Sequence, residues 1–419
     1  MKFRDFHINI KIRIVETFLS RMVGGMVFPF MAIYLASHFS AKVTGMLLLL
    51  NVVIGAAVNF LGGYIADKYG RKKIMAFAEV LRFLAFATMA VANSPWLELP
   101  VLTYLMMTVN SICWGLAGPA NQAMLIDVSS PEQRKLMYSI TYWASNLSIA
   151  LGGIIGGIFF KEYLFELFTA VAFSAFIIAL MVLFLIKESY VPKATETKTS
   201  FSPLEMFRSY KTVVQDKLFV LFILSHLLII SLEMNLTNYI GIRLSNDMPV
   251  QPFFNWNIDG VAMLGILRTE NTILVALTSL FAVKLISSFK DRNVILLGST
   301  TFVIGYAIIA YSNNIWLLFI CMILATVGEV IRVPVEQSYL ASIPPDDQRS
   351  SYMALNGLTF NGSMMIASLF VTLSAFLPSL WMAVLALAVG LTGVAILIKI
   401  IPGLEERRAI REKQHSQSA

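Results

Sequence analysis

Twelve apolar runs alternate with short polar connections along the 419-residue chain. Crossing the hydrocarbon core of a bilayer takes roughly 20 mostly apolar helical residues, so each run predicts a transmembrane helix. The runs lie near residues 12–37, 43–66, 73–93, 99–126, 137–160, 163–186, 218–242, 261–287, 293–312, 315–341, 351–376 and 379–401. The first follows Lys11 and Arg13, is too long for a signal peptide and has no clear small-residue cleavage site, so it is expected to be retained as a span.

The longest polar connection, Lys187 to Lys217, divides the runs into six plus six. The expected organisation is a first bundle over 1–187, a linker over 188–217, a second bundle over 218–401 and a tail over 402–419. Within the linker, Ser202-Pro203-Leu204-Glu205 is a capping box, and Leu204, Phe207, Val213 and Val214 follow at roughly helical spacing. That pattern predicts a short amphipathic helix on the membrane surface. A second insert, Ser245 to Gly260, carries Phe253, Phe254 and Trp256, which suit anchoring at the membrane interface.

The two halves repeat. Pro119, Gln122, Glu132, Gln133, Arg134, Asn146 and Ser148 recur 215 positions later as Pro334, Gln337, Asp347, Gln348, Arg349, Asn361 and Ser363. The repeat equates the fourth and fifth spans with the tenth and eleventh and predicts two related six-helix bundles with a central cavity. The fold class expected is therefore an all-α polytopic membrane protein of twelve transmembrane helices in two pseudo-symmetric bundles.

Composition narrows the function classes. Hydrophobic residues make up 57% of the chain, charged residues 14%, and the mean hydropathy is +0.73, too apolar for a soluble protein of this length. The net charge of +7 sits in short loops and forms no basic domain, which argues against a nucleic-acid partner. Instead it sets topology: Lys42, Lys161, Arg243 and Arg268 fall on one side, Arg21, Arg82 and Arg332 within spans, and the remaining cations predict that both termini are cytoplasmic. Cys113 and Cys321 lie in apolar runs, and His7, His38, His226 and His415 are scattered with no Cys or carboxylate at ligand spacing. No metal, organic cofactor or enzyme site is expected.

An ionisable side chain within a span costs about 2.5–3.5 kcal/mol on insertion scales and marks a partner, a wet cavity or a function. Glu329, Arg332 and Glu336 stand at i, i+3 and i+7 in the tenth run and share one face. They are either a structural ion triplet or, as preferred, a cavity wall on which Glu329 takes up protons. Glu233 lies deep in the seventh run with no basic residue one turn away, a candidate to be neutral in one state and charged in another. Glu79 and Arg82 at i, i+3 read as a structural pair; Arg13 can serve Glu16, leaving Arg21 to find a partner on another helix. Gly152, Gly153, Gly156 and Gly157 form a small-residue stripe in the fifth run that permits close helix approach.

One stretch has a more specific form. At Gly63-Tyr64-Ile65-Ala66-Asp67-Lys68-Tyr69-Gly70-Arg71-Lys72-Lys73 an apolar run stops at an acid, turns on a glycine and becomes basic. It resembles the signature between the second and third helices of the major facilitator superfamily, matched at Gly63, Ile65, Ala66, Asp67, Lys68, Gly70, Arg71 and Lys72. Over nearly the whole chain the sequence is similar to the drug:proton antiporter branch, carried by Ala123-Met124-Leu125-Ile126-Asp127, Tyr142-Trp143-Ala144, Asn146-Leu147-Ser148 and Gly328-Glu329-Val330. The resemblance implies that Asp67, Arg71 and Asp127 form a gating latch and that Glu329 is the acid facing cationic drugs and protons. It also sets the glycine stripe beside that branch's fifth-helix motif, with Gly153 in place of proline. Two of the branch's acids are missing, at Thr141 and Thr237; Glu233 stands one turn before Thr237, and Asn110 and Ser111 occupy the region of the basic residue in the fourth helix.

The function expected is efflux of lipophilic or cationic drugs from the cell in exchange for protons, by a multi-pass protein of the cell membrane working as a monomer on the proton gradient alone. Its partners would be a small-molecule substrate, protons and the bilayer. The alternatives are a narrow-specificity carrier of a lipid, peptide or anionic metabolite, with Arg332 holding the anion, and a non-transporting receptor or scaffold.

Overall fold

The computed structural model describes residues 6–129, 131–188, 213–286, 288–343 and 349–418. The amphipathic helix expected in the linker lies almost wholly outside these residues. Among the described residues the regular structure is helical apart from two short hairpins. Its first half comprises α1 (Ile8–Val27), α2 (Met31–His38), α3 (Ala41–Tyr69), α4 (Arg71–Ala92), α5 (Pro100–Asp127), α6 (Pro131–Phe159) and α7 (Leu164–Leu180). The second half comprises α8 (Lys217–Met234), α9 (Tyr239–Asp247), α10 (Gly260–Ile286), α11 (Asp291–Ile309), α12 (Ile315–Ser342), α13 (Arg349–Leu373) and α14 (Ser379–Ser418).

Local sequence explains where these elements break. Pro29 tightens Phe28–Phe30 into a 3-10 turn, so that α1 and α2 together make one 31-residue span; Asn235–Thr237 does the same between α8 and α9. Ser40 accepts the Val43 N–H at 3.4 Å and Asn314 accepts the Leu317 N–H at 3.0 Å, closing the open first turns of α3 and α12. A single residue, Gly70 at φ +96°, separates α3 from α4, a conformation that a side chain disfavours. The insert of residues 245–260 forms a hairpin of β3 (Gln251–Phe253) and β4 (Trp256–Ile258) with Phe254 and Trp256 exposed, and β1 (Asn93–Ser94) pairs with β2 (Leu97–Glu98) in the first half.

Ten helical segments among the described residues are long and apolar enough to cross a membrane. With α6, apolar over Trp143–Phe159, and the 25-residue α13 they make the expected twelve. The internal repeat is visible in the elements themselves. Helices α5 and α12 each have 28 residues, each begins and ends 215 positions from its counterpart, and each holds one interior proline, Pro119 or Pro334. The last span does not stop near residue 401 as the apolar run suggests. Its helix runs on through Pro402 into the polar tail.

By contacts the chain forms two compact units, Met1–Glu196 with Leu244–Ile273, and Thr197–Arg243 with Leu274–Ala419. Residues 244–273, which the sequence boundaries assign to the second bundle, thus group with the first unit. In the first unit α1 packs on α6, α3 on α5, and α4 on both α5 and α7, around cores that include Ile12, Met75, Met124, Val182 and, separately, Ile10, Leu125 and Met137. In the second, α11 packs on α12 and α8 on α13 and α14, enclosing Phe219, Phe222, Tyr339, Tyr352, Ile401 and Leu404. The polar end of α14 is stapled to this unit. Arg407 bonds both Asp216 oxygens at 2.5 and 3.1 Å, and Arg408 reaches Asp291 at 2.6 Å.

Candidate functional site

In the second unit, three ionisable side chains from two helices meet, Arg332 and Glu336 buried and His226 partly buried. Arg332 on α12 donates to Glu336 one turn along at 2.7 Å, and the other Glu336 oxygen meets Nδ1 of His226 on α8. Arg332 is 2% exposed, too little for water to solvate its charge, and its guanidinium carbon lies 4.7 Å above the Phe302 ring of α11. Glu336 is thus held between a permanent cation and an imidazole. Glu329 and Glu233 lie in the same unit, both partly buried, on α12 and α8. The face shared by Glu329, Arg332 and Glu336 is therefore divided: the hydrogen bond of Arg332 goes to Glu336, away from Glu329.

His226 has a carboxylate partner that no ligand spacing in the sequence reveals. The partner stands 110 positions away on another helix, beyond the reach of any local spacing pattern.

The first unit contains a second buried network. Arg82 and Glu79 on α4 pair at 3.0 Å, and Arg82 also donates to Ser20 on α1 at 3.1 Å and to Asn110 on α5 at 3.2 Å. Asn110 is where the fourth span lacks a basic residue, and the third span supplies the cation there instead. Arg13 pairs with Glu16, and Arg21 finds its partner on another helix: it lies 5.5 Å from the Trp114 ring, with Arg82 5.3 Å from the same ring. These acids have arginine partners, as buried charges require.

At the α3–α4 turn, Arg71 forms an ion pair with Asp127 at the end of α5. Glu188 closes the same turn by accepting the Lys72 N–H at 3.1 Å. Gly63 and Asp67 lie in α3, and the Asp67 side chain falls outside what the structure describes. The glycine stripe of α6 serves two neighbours. A Cβ on Gly152 would stand 2.3 Å from the Met22 carbonyl of α1, and one on Gly156 would stand 2.4 Å from that of Met26. Gly153 and Gly157 face the other way, toward Gly265 of α10.

One acid escaped the sequence reading altogether. Glu270 lies ten residues into α10, and its position inside the eighth apolar run was signal enough to find it. Two open clefts, of about 350 Å³ beside Lys290, Asp291, Tyr339 and Glu405 and of about 400 Å³ beside Tyr34, His38, Trp96 and Glu98, contain none of the buried span charges. We therefore centre the site on the buried ionisable groups, whose membrane cost demands an explanation that a surface cleft does not.

The sequence profile of the Major Facilitator Superfamily matches residues 15–268 and 248–417. The chain belongs to this superfamily. As a superfamily member it is a multi-pass membrane transporter and not an enzyme. Among relatives, it is 30% identical to a "Na(+), Li(+), K(+)/H(+) antiporter" of Planococcus maritimus, over 91% of this chain and 93% of that one. It is 26% identical to the "Uncharacterized MFS-type transporter YqjV" of Bacillus subtilis, over 87% and 85% of the two chains. To the "Multidrug resistance protein MdtH" of Proteus mirabilis it is 24% identical, over 81% and 80%. Its superfamily fold is shared with a solved nucleoside transporter NupG, at a TM-score of 0.75 and 14% identity covering 94% of this chain and all of that one, and with a peptide transporter POT at 0.73 and 13%, covering 96% of each.

Proposed function

We propose that this transporter exports monovalent, lipophilic cations from the cell in exchange for protons, by alternating access, with both termini in the cytoplasm. The observation that carries this reading is the His226–Glu336–Arg332 cluster, with its acid and arginine buried. With His226 neutral the cluster has no net charge; one proton on the His226–Glu336 pair makes it cationic. A cationic solute and a proton then disfavour each other in the same unit, which is the energetic requirement of exchange. Glu329 and Glu233 add acidic groups in the same spans, and the names of the relatives, one an alkali cation/proton antiporter and others multidrug resistance proteins, support the same class.

Arg332 speaks against the anion-carrier alternative, because its guanidinium is already engaged by Glu336 and Phe302. The superfamily match argues against a receptor or scaffold. The 30% identity to the alkali cation antiporter favours a second reading, exchange of Na⁺, Li⁺ or K⁺. Proteoliposomes with an imposed pH gradient test both: ethidium and ²²Na⁺ are loaded in turn, and movement coupled to proton flux is expected for at least one. Unchanged coupled transport in Glu336→Gln, Glu329→Gln and Glu233→Gln would sink the carboxylate mechanism.

A further inference from the structure

Glu270 stands apart from every buried charge described so far. At 1.5 Å of rise per residue, ten residues from Gly260 place it about 15 Å into α10, near half the thickness of a hydrocarbon core. The side chain is partly buried, and its Oε2 is shielded from solvent with no hydrogen-bond partner among the described residues.

The helix is held firmly at this level. Thr269, next to Glu270, is buried and donates to the Ala150 carbonyl of α6 at 3.2 Å. One turn earlier Gly265 lies so close that a Cβ there would come within 2.6 Å of the Gly153 carbonyl. Helix α6 has no titratable side chain between Trp143 and Phe160. The charged neighbour on α10 is Arg268, two residues earlier, which helical geometry puts about 200° around the axis from Glu270. The acids of α1 and α4 in this unit, Glu16 and Glu79, are each paired with an arginine, whereas no ion pair joins Glu270 among the described residues.

A carboxylate without a donor at this depth has two ways to lose its charge: take up a proton, or take up a cation. We propose that Glu270 is an exchange carboxylate that holds either a proton or a monovalent cation, an alkali ion or an organic onium centre. One carboxylate cancels one positive charge, so a divalent ion would bring excess charge into the span. No group of three or more His, Cys, Asp or Glu suited to such an ion occurs among the described residues. Its part in transport rests on the antiport reading; its occupancy is measured separately.

The test is carbodiimide labelling of the purified full-length protein, since dicyclohexylcarbodiimide modifies protonated carboxyls in apolar surroundings, with the site mapped by peptide mass spectrometry. Glu270 is expected to be labelled without added cation and to lose its label with saturating NaCl or tetraphenylphosphonium. The probe that protects identifies the class, alkali or onium. In proteoliposomes Glu270→Gln is expected to lose coupled transport of that probe and Glu270→Asp to retain part of it, with both variants eluting as a single species. Absence of label, or label indifferent to both cations, overturns the inference, and coupled transport by the parent protein would in that case still uphold the antiport reading. Cation-protected label in a protein that moves no cation against a proton gradient supports the Glu270 site and overturns the antiport reading.

Discussion

Glu188 caps the helix that begins at Arg71 from 116 positions away, its carboxylate accepting the Lys72 backbone N–H at 3.1 Å. The first turn of α4 has no side-chain cap of its own, because its N-cap is Gly70. Glu188→Gln keeps an acceptor but loses the charge at the positive helix end, and Glu188→Ala loses both. Destabilisation of about 0.5–1 and about 1–2 kcal/mol is expected, read as faster amide exchange at Lys72 and neighbouring residues. Gly70→Ala should be more severe, since φ is +96° and the new Cβ would stand 2.9 Å from Glu188 Oε2.

The Arg71–Asp127 pair predicts charge-swap rescue. Arg71→Asp or Asp127→Arg alone puts like charges in contact and should cut coupled transport about ten-fold or more, whereas the double swap should recover much of it. Efflux rates of the four proteins in everted vesicles decide the matter. Equal loss in single and double variants would show that the pair is not an independent contact.

Stability and transport should separate at the buried cluster. Glu336→Gln leaves Arg332 buried without its counter-charge and is expected to cost about 3–5 kcal/mol. Replacing both, Arg332→Met with Glu336→Leu, should recover stability because no uncompensated charge remains. Coupled transport should stay absent in that double variant. Thermal unfolding in detergent beside proteoliposome flux tests both halves of the expectation.

Asp216 sets an acid limit at the polar end of α14. Burial pushes its carboxyl upward, but the two bonds from Arg407, the Phe219 N–H and the Tyr352 hydroxyl outweigh it and hold the group below its usual value near 3.8. A lowered value means that the stabilisation is fully present above about pH 3.8 and is lost as the pH falls through the folded value. Asp216→Asn should therefore be less stable than the parent at pH 7, and the difference should shrink in strong acid. Partial exposure to solvent keeps the effect small. Unfolding midpoints measured from pH 7 down to about pH 3 give the comparison.

The two faces of the α6 stripe should tolerate change differently. Gly152→Ala drives a Cβ into the Met22 carbonyl at 2.3 Å and should prise α1 from α6, with loss of folded protein on expression. Gly157→Ala meets its nearest atom, the Gly265 Cα, at 3.2 Å, and a shift of a few tenths of an ångström relieves it. A modest drop in melting temperature is expected there.

Spans, repeat and short-range pairs were legible in the sequence because each leaves a local trace. Apolar runs of bilayer length mark the helices, a fixed offset marks the duplication, and Glu79–Arg82 is an i, i+3 neighbour on one helix. Asp127 ends the fourth apolar run on the same side as the Arg71 turn, and the family resemblance joins the two into a latch. What distance in sequence hides is contact between helices: His226 with Glu336, Arg82 with Asn110, Glu188 with Lys72. Glu270 differs from these, since an acid inside an apolar run of bilayer length is itself a local trace.

The matched helices α5 and α12 have one more consequence. Moving 215 positions along the chain carries Trp114 onto Glu329, Ala117 onto Arg332 and Asn121 onto Glu336. Length and proline notch are common to both copies, while these three charges belong to the second alone. Backbone form and chemical work have therefore parted company in this duplication: the first copy is neutral at these three positions, and carboxylates at Trp114 or Asn121 are the shortest route by which such a protein would acquire a mirror-image site.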